Sequence, residues 1–76
     1  KFLPENMDRM TDEEVITWYF ERLPIENAGK VKTITQRQED MWTIQTREGK
    51  WFEVVYSPTL REIYDVVGPY PSYPEH

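Results

Sequence analysis

The sequence predicts an α+β fold, with one N-terminal helix packed on a three- to four-stranded antiparallel sheet, in a single domain of 76 residues. Two observations carry that expectation. Apolar residues recur every three to four positions between Asp12 and Leu23, and from Gly29 onward the period becomes two while β-branched and aromatic residues replace the helix formers. A third concerns connectivity: the apolar runs of the second half are separated by short stretches of turn-forming residues, and such short connections join antiparallel neighbours.

Residues 1–10 hold Phe2, Leu3, Met7 and Met10 without a sustained period, and Pro4 interrupts any helix, so they read as an arm laid over the core. Thr11-Asp12-Glu13-Glu14 is a capping box. The Thr11 hydroxyl can accept from a free helical N–H while Glu14 reaches back to the Thr11 N–H. Met10 and Val15 occupy the two positions of a hydrophobic staple, and the three carboxylates lie against the positive end of the helix dipole. The helix is predicted over Asp12–Arg22, ended by Pro24, which disfavours helical geometry at Leu23. Ile16, Tyr19, Phe20 and Leu23 form its apolar stripe. Trp18 falls off that stripe, which leaves two readings, a ring packed under the arm or a partly exposed binding ring.

Four strands are readable, at residues 30–36, 41–46, 51–56 and 62–67. Arg47-Glu48-Gly49 is a three-residue loop with Gly where a left-handed residue is wanted. It sets a register in which Thr46 faces Lys50, Ile44 faces Phe52 and Trp42 faces Val54 on one side. On the other side Thr43 then faces Glu53 and Gln45 faces Trp51, so Trp51 is expected on the polar face. Ser57-Pro58-Thr59-Leu60 reads as a type I turn with Pro at its second position. In the fourth strand both faces are partly apolar, which suits an edge. Residues 68–76, with Pro69, Pro71 and Pro74, are expected to form an extended tail.

Charge and composition narrow the function. The chain is acidic, with a formal net charge of -5, and the excess is concentrated in residues 1–26. Such a chain repels phosphate backbones, so nucleic acid is not an expected partner. No apolar run reaches transmembrane length, and no signal peptide is visible. A start at Lys1 instead of Met fits a processed mature protein or a domain cut from a longer chain. Cysteine is absent, which removes disulfides and thiolate metal sites.

Little in the sequence points to a reaction. His76 is the one histidine, at the last position after a Pro-rich stretch, where no second group readily orients an imidazole. Ser57 and Ser72 therefore lack a base, and Asp8, Asp12 and Glu13 lack the spaced Asx-and-Gly loop of a calcium site. Glu53 beside Thr43 reads as solvent-face chemistry and Glu39-Asp40 as a hairpin turn. The bases Lys30, Lys32, Arg37, Arg47, Lys50 and Arg61 interleave with Trp42 and Trp51, the composition of a single-strand platform, but acids lie between them, and solvated mixed-sign strands are the plainer reading. No catalytic residue, metal ligand or cofactor is expected. What remains is aromatic surface. Trp51 on the polar face, with Tyr70 and Tyr73 in the tail and Trp18 on the helix, is the candidate partner-binding set. Alternatively the tail folds back over Trp51 and both become structural.

The order capped helix, Gly29-Lys30-Val31, Trp42-Thr43-Ile44, Gly49-Lys50-Trp51-Phe52-Glu53-Val54-Val55, then Glu62-Ile63-Tyr64-Asp65-Val66 resembles the PepSY family over residues 11–67. The resemblance implies a non-catalytic extracytoplasmic module with an inhibitory or regulatory role towards a protease or another envelope protein, and it carries over no catalytic residue. The function expected is thus a small, non-enzymatic protein-binding module acting on an envelope or secreted protein, as a monomer or weak homo-oligomer. The alternative is a cytosolic acidic inhibitor, or nucleic-acid mimic, that fills a basic groove.

Overall fold

The computed structural model describes residues 9–24 and 29–74. Helix α1 (Asp12–Arg22) is followed by strands β1 (Val31–Gln38), β2 (Met41–Thr46), β3 (Trp51–Ser57) and β4 (Glu62–Tyr70). The strands form one antiparallel sheet in the order β1-β2-β3-β4, and α1 crosses one face of it, touching both edge strands.

The helix begins as its residues dictate. Glu14 N–H donates to Thr11 Oγ1 at 3.2 Å and Thr11 N–H donates to Glu14 Oε1 at 2.9 Å, so both halves of the capping box are made. At the other end Leu23 adopts extended geometry, as a residue preceding proline must, and its N–H still donates to Phe20 O at 3.2 Å. The buried helix residues are Val15, Ile16 and Phe20, while Tyr19 and Leu23 are only half-buried. The apolar stripe is therefore rotated towards Val15 relative to the expected one, and Met10 packs against the same core.

That core consists of Val15, Ile16 and Phe20 from α1 with Trp42, Ile44, Phe52, Val54 and Tyr56 from the two central strands. The β2–β3 register is the expected one: Trp42 pairs with Val54, Ile44 with Phe52, Thr43 with Glu53 and Gln45 with Trp51. Gly49, at φ 90°, closes the loop, and Thr46 N–H donates to Lys50 O at 2.8 Å.

Two expectations need correction. The turn after β3 is not closed within Ser57–Leu60. Its closing bond runs from Arg61 N–H to Ser57 O at 2.7 Å, four residues apart, and Arg61 takes a left-handed φ of 55°. Nor does the fourth strand stop at Val67, for β4 continues through Gly68 and Pro69 to Tyr70. It does so by carrying two bulges. Tyr64 is the extra residue between the pairs Tyr56–Ile63 and Val55–Asp65, and Gly68-Pro69 opposes Phe52 alone. The first bulge flips the phase of the strand, so Ile63 and Val66, three apart, both pack on the core. This is why no clean alternation is readable there.

The arm residues 1–8 and the terminal His76 lie outside the described residues, so the expectations for Phe2, Leu3, Met7 and His76 do too.

Candidate functional site

The sheet face opposite the helix gathers most of the residues singled out above. Thr43 and Glu53 sit at its centre as cross-strand partners, flanked by the pair Gln45–Trp51. Arg37 joins them from β1 through a bulge. Gln36 pairs with Trp42 and Gln38 with Met41, which leaves Arg37 as the extra residue, and a bulge is a means of re-aiming a side chain. Its guanidinium donates from Nη1 to Thr43 Oγ1 at 3.3 Å. On the far side β4 delivers Tyr70 opposite Trp51. Gly68 permits that approach: a Cβ there would lie 2.8 Å from Trp51 O and 2.9 Å from Phe52 Cδ2.

The chain then folds back over this face. Tyr73 sets its ring edge-on to Trp51, with centroids 5.1 Å apart, and Pro74 is buried. Arg37 Nη1 donates to Pro74 O at 2.6 Å, and the guanidinium carbon lies 5.0 Å from the centroid of the Tyr73 ring. Arg37 thus holds the segment twice, by a charge-assisted hydrogen bond and by a cation–π contact. The consequence corrects the solvent-face reading. Thr43 is 1% and Glu53 7% exposed, Trp51 and Tyr70 are half-buried, and Tyr73 remains 40% exposed. Of the two readings of the tail, the fold-back is the one found: Tyr73 and Pro74 lie against Trp51 and Arg37 and cover part of the second face.

The Tyr70 hydroxyl donates to Glu53 Oε1 at 3.5 Å. Burial pushes the Tyr70 phenol above its ordinary value, and the negative charge of Glu53 and the bond to it act in the same direction. Beside these groups runs a groove of about 490 Å³ lined by Arg37, Gln38, Met41 and Glu53. It offers a fixed cation, a carboxylate, an amide and a thioether, which suit a polar main chain better than an apolar ligand. Among the described residues no group of three or more His, Cys, Asp and Glu side chains is placed to hold a metal ion.

Of the four candidate partner-binding residues, the structure brings Trp51, Tyr70 and Tyr73 together and leaves Trp18 apart. Trp18 lies half-buried on α1, edge-on to Tyr19 at 5.4 Å, with the Arg22 guanidinium 4.2 Å above its ring. Trp42 and Trp51 lie on opposite faces of the sheet, the first in the core, so they cannot form one stacking platform. The residues missed by sequence reasoning are Arg37, read there as a solvated base, and Pro74. A bulge has no signature in β1, so nothing local marks Arg37 as inward-facing. The run Pro69-Tyr70-Pro71-Ser72-Tyr73-Pro74 is itself a signal, since alternating aromatic and proline residues suit docking on an aromatic surface.

No family model matches the chain, no curated protein matches it, and no solved structure matches it. No helix among the described residues is long and apolar enough to cross a membrane.

Proposed function

We propose that this chain is a small non-enzymatic protein-binding module, and that its binding surface is the sheet face opposite the helix. The observation that supports this reading is the convergence of Trp51, Tyr70 and Tyr73 on one face beside the groove of Arg37, Gln38, Met41 and Glu53. Aromatic anchors with an arginine among them are the composition that dominates binding energy at protein interfaces. An inhibitory or regulatory role towards an envelope or secreted protein, outside the cytoplasm, rests on the PepSY resemblance of residues 11–67. The acidic-mimic alternative is less favoured, because Asp12, Glu14 and Glu21 are engaged within the fold, by Arg61 and Tyr56, by Thr11, and by Lys30 and the Val31 N–H respectively.

The test is a pull-down with the 76-residue chain, offered separately to envelope or secreted proteins and to cytosol, and eluted by stepwise salt and then denaturant. One envelope or secreted protein that resists salt and is lost with Trp51→Ala, in a variant whose circular dichroism is unchanged, is the expected result. A partner released by moderate salt and indifferent to Trp51→Ala would overturn the reading in favour of an acidic mimic.

A further inference from the structure

The segment covering the second face is recognised through features that any Tyr-Pro dipeptide carries. Arg37 binds a main-chain carbonyl, that of Pro74, and the face of a tyrosine ring, while Trp51 meets the same ring edge-on. Among the described residues, these contacts use a main-chain carbonyl and a tyrosine ring, groups that another chain's Tyr-Pro also carries. The receptor side is built independently of the cover. Arg37 is aimed by the β1 bulge and braced on Thr43, and Trp51 is held in the central strand β3 by its pairing with Gln45. Within the cover Pro74 is buried, while Tyr73 is still 40% exposed and so reachable by a competing segment. The groove of about 490 Å³ on Arg37 leaves room for chain beyond the dipeptide. Proline-rich segments lose little entropy on docking because they are already extended.

We propose that this face is a docking surface for an extended Tyr-Pro segment of another protein, and that residues Tyr73-Pro74 occupy it in cis. The proposal rests on the reading of the chain as a protein-binding module and names the chemistry of its partner. The partner displaces the cover, placing its own tyrosine on Trp51 and Arg37 and its own proline carbonyl on the guanidinium.

The test uses the full chain and a synthetic octapeptide with the sequence of residues 69–76, titrated in trans and followed by the Trp51 indole resonance and by tryptophan fluorescence. In the unaltered chain the tethered cover competes at an effective concentration on the order of millimolar, so the peptide moves the Trp51 resonance only at comparable concentrations. Tyr73→Ala weakens the cover, and the peptide is then expected to bind about tenfold more tightly, the scale of one lost aromatic contact. Adding Arg37→Ala, or replacing the peptide's second tyrosine by alanine, is expected to abolish that binding. A folded Tyr73→Ala chain that binds no better than the unaltered one overturns the proposal. If that variant does not fold, an unaltered chain whose Trp51 resonance ignores several millimolar peptide overturns it equally. A concentration-dependent dimer of the unaltered chain, abolished by Tyr73→Ala, would also overturn it, since the face would then serve self-association. A chain that retains a protein through Trp51 but ignores the peptide loses this proposal and keeps the binding-module reading.

Discussion

Arg61 and Asp12, 49 residues apart in sequence, are joined at 3.1 Å between guanidinium Nη1 and carboxylate Oδ1. The same guanidinium donates from Nη2 to Met10 O at 2.8 Å, and the buried Tyr56 hydroxyl donates to the same Asp12 oxygen at 3.2 Å. The β3–β4 turn is thereby tied to the first residue of the helix, which fixes where α1 begins over the sheet. Arg61 holds this position with a left-handed backbone that a non-glycine residue adopts only at a cost.

That geometry separates two effects by mutation. Arg61→Ala loses the guanidinium bonds and keeps the backbone strain, so a loss of about 1 to 2 kcal/mol is expected, discounted because the pair is partly open to solvent. Arg61→Gly loses the same bonds but relieves the strain, and should be about 1 kcal/mol more stable than the alanine variant. Urea denaturation of the two variants decides it, and equal midpoints would show that the turn carries no strain.

Gly68 and Gly49 invite a matched comparison. Alanine at Gly68 brings a Cβ within 2.8 Å of Trp51 O, whereas at Gly49 nothing lies within 4 Å and only the positive φ opposes it. Gly68→Ala should therefore destabilise by roughly 2 to 3 kcal/mol and perturb Trp51 fluorescence. Gly49→Ala should cost about 1 kcal/mol and leave that fluorescence unchanged. Similar losses at both sites would mean that the close approach of β4 is relieved by a small shift of the strand.

The capping box predicts its own non-additivity. Thr11→Ala should cost about 1 kcal/mol, and Glu14→Ala less, because each removes one of two reciprocal bonds at the same helix end. The double variant should cost less than the two losses combined, as expected for residues that share one network. Full additivity in thermal melts would show that the two bonds form independently.

Stability should fall on the alkaline side. Burial is the first cause pushing the phenols of Tyr19, Tyr56 and Tyr70 above their ordinary value of 10.0. A group with a raised pKa in the folded state holds its proton more tightly there than when unfolded. Its contribution is fully present below about pH 10 and is lost as pH rises through the folded value. The urea midpoint is thus expected to be insensitive to these groups between about pH 7 and 9, and to fall above about pH 10. In Tyr56→Phe the fall should be shallower, and neutral stability lower because Asp12 loses a hydroxyl donor. An identical alkaline slope in the variant and the unaltered chain would exclude Tyr56 as a contributor.

Local chemistry was enough to read the helix and the central hairpin. Thr11 with Glu14 sets the start of α1, Pro24 ends it at Leu23, and Gly49 in a three-residue loop places Trp42, Ile44, Phe52 and Val54 on one side. These outcomes depend on residues within a few positions of one another, where backbone sterics and side-chain period dominate. The convergence of Trp51 and Tyr70 was only half legible. Trp51 followed from the register, but Tyr70 depended on β4 running past Gly68, and that strand changes phase at Tyr64.

What the tertiary structure alone decided is the second face. Whether Thr43 and Glu53 meet water, whether Arg37 points inward, and whether Tyr73 and Pro74 lie against Trp51 all depend on contacts between distant segments, the longest joining Arg37 to Pro74. The Tyr-Pro run signals that the segment can dock but no period or motif says where, because a bulge or a returning chain end is selected by the packing it completes and not by its neighbours in sequence. The sequence by itself determined a capped helix on an antiparallel sheet with Trp51 facing away from that helix. The folded chain decided that this face is roofed by its own Tyr-Pro segment, since only in three dimensions does the Arg37 guanidinium reach the Pro74 carbonyl and the Trp51 indole meet the Tyr73 ring.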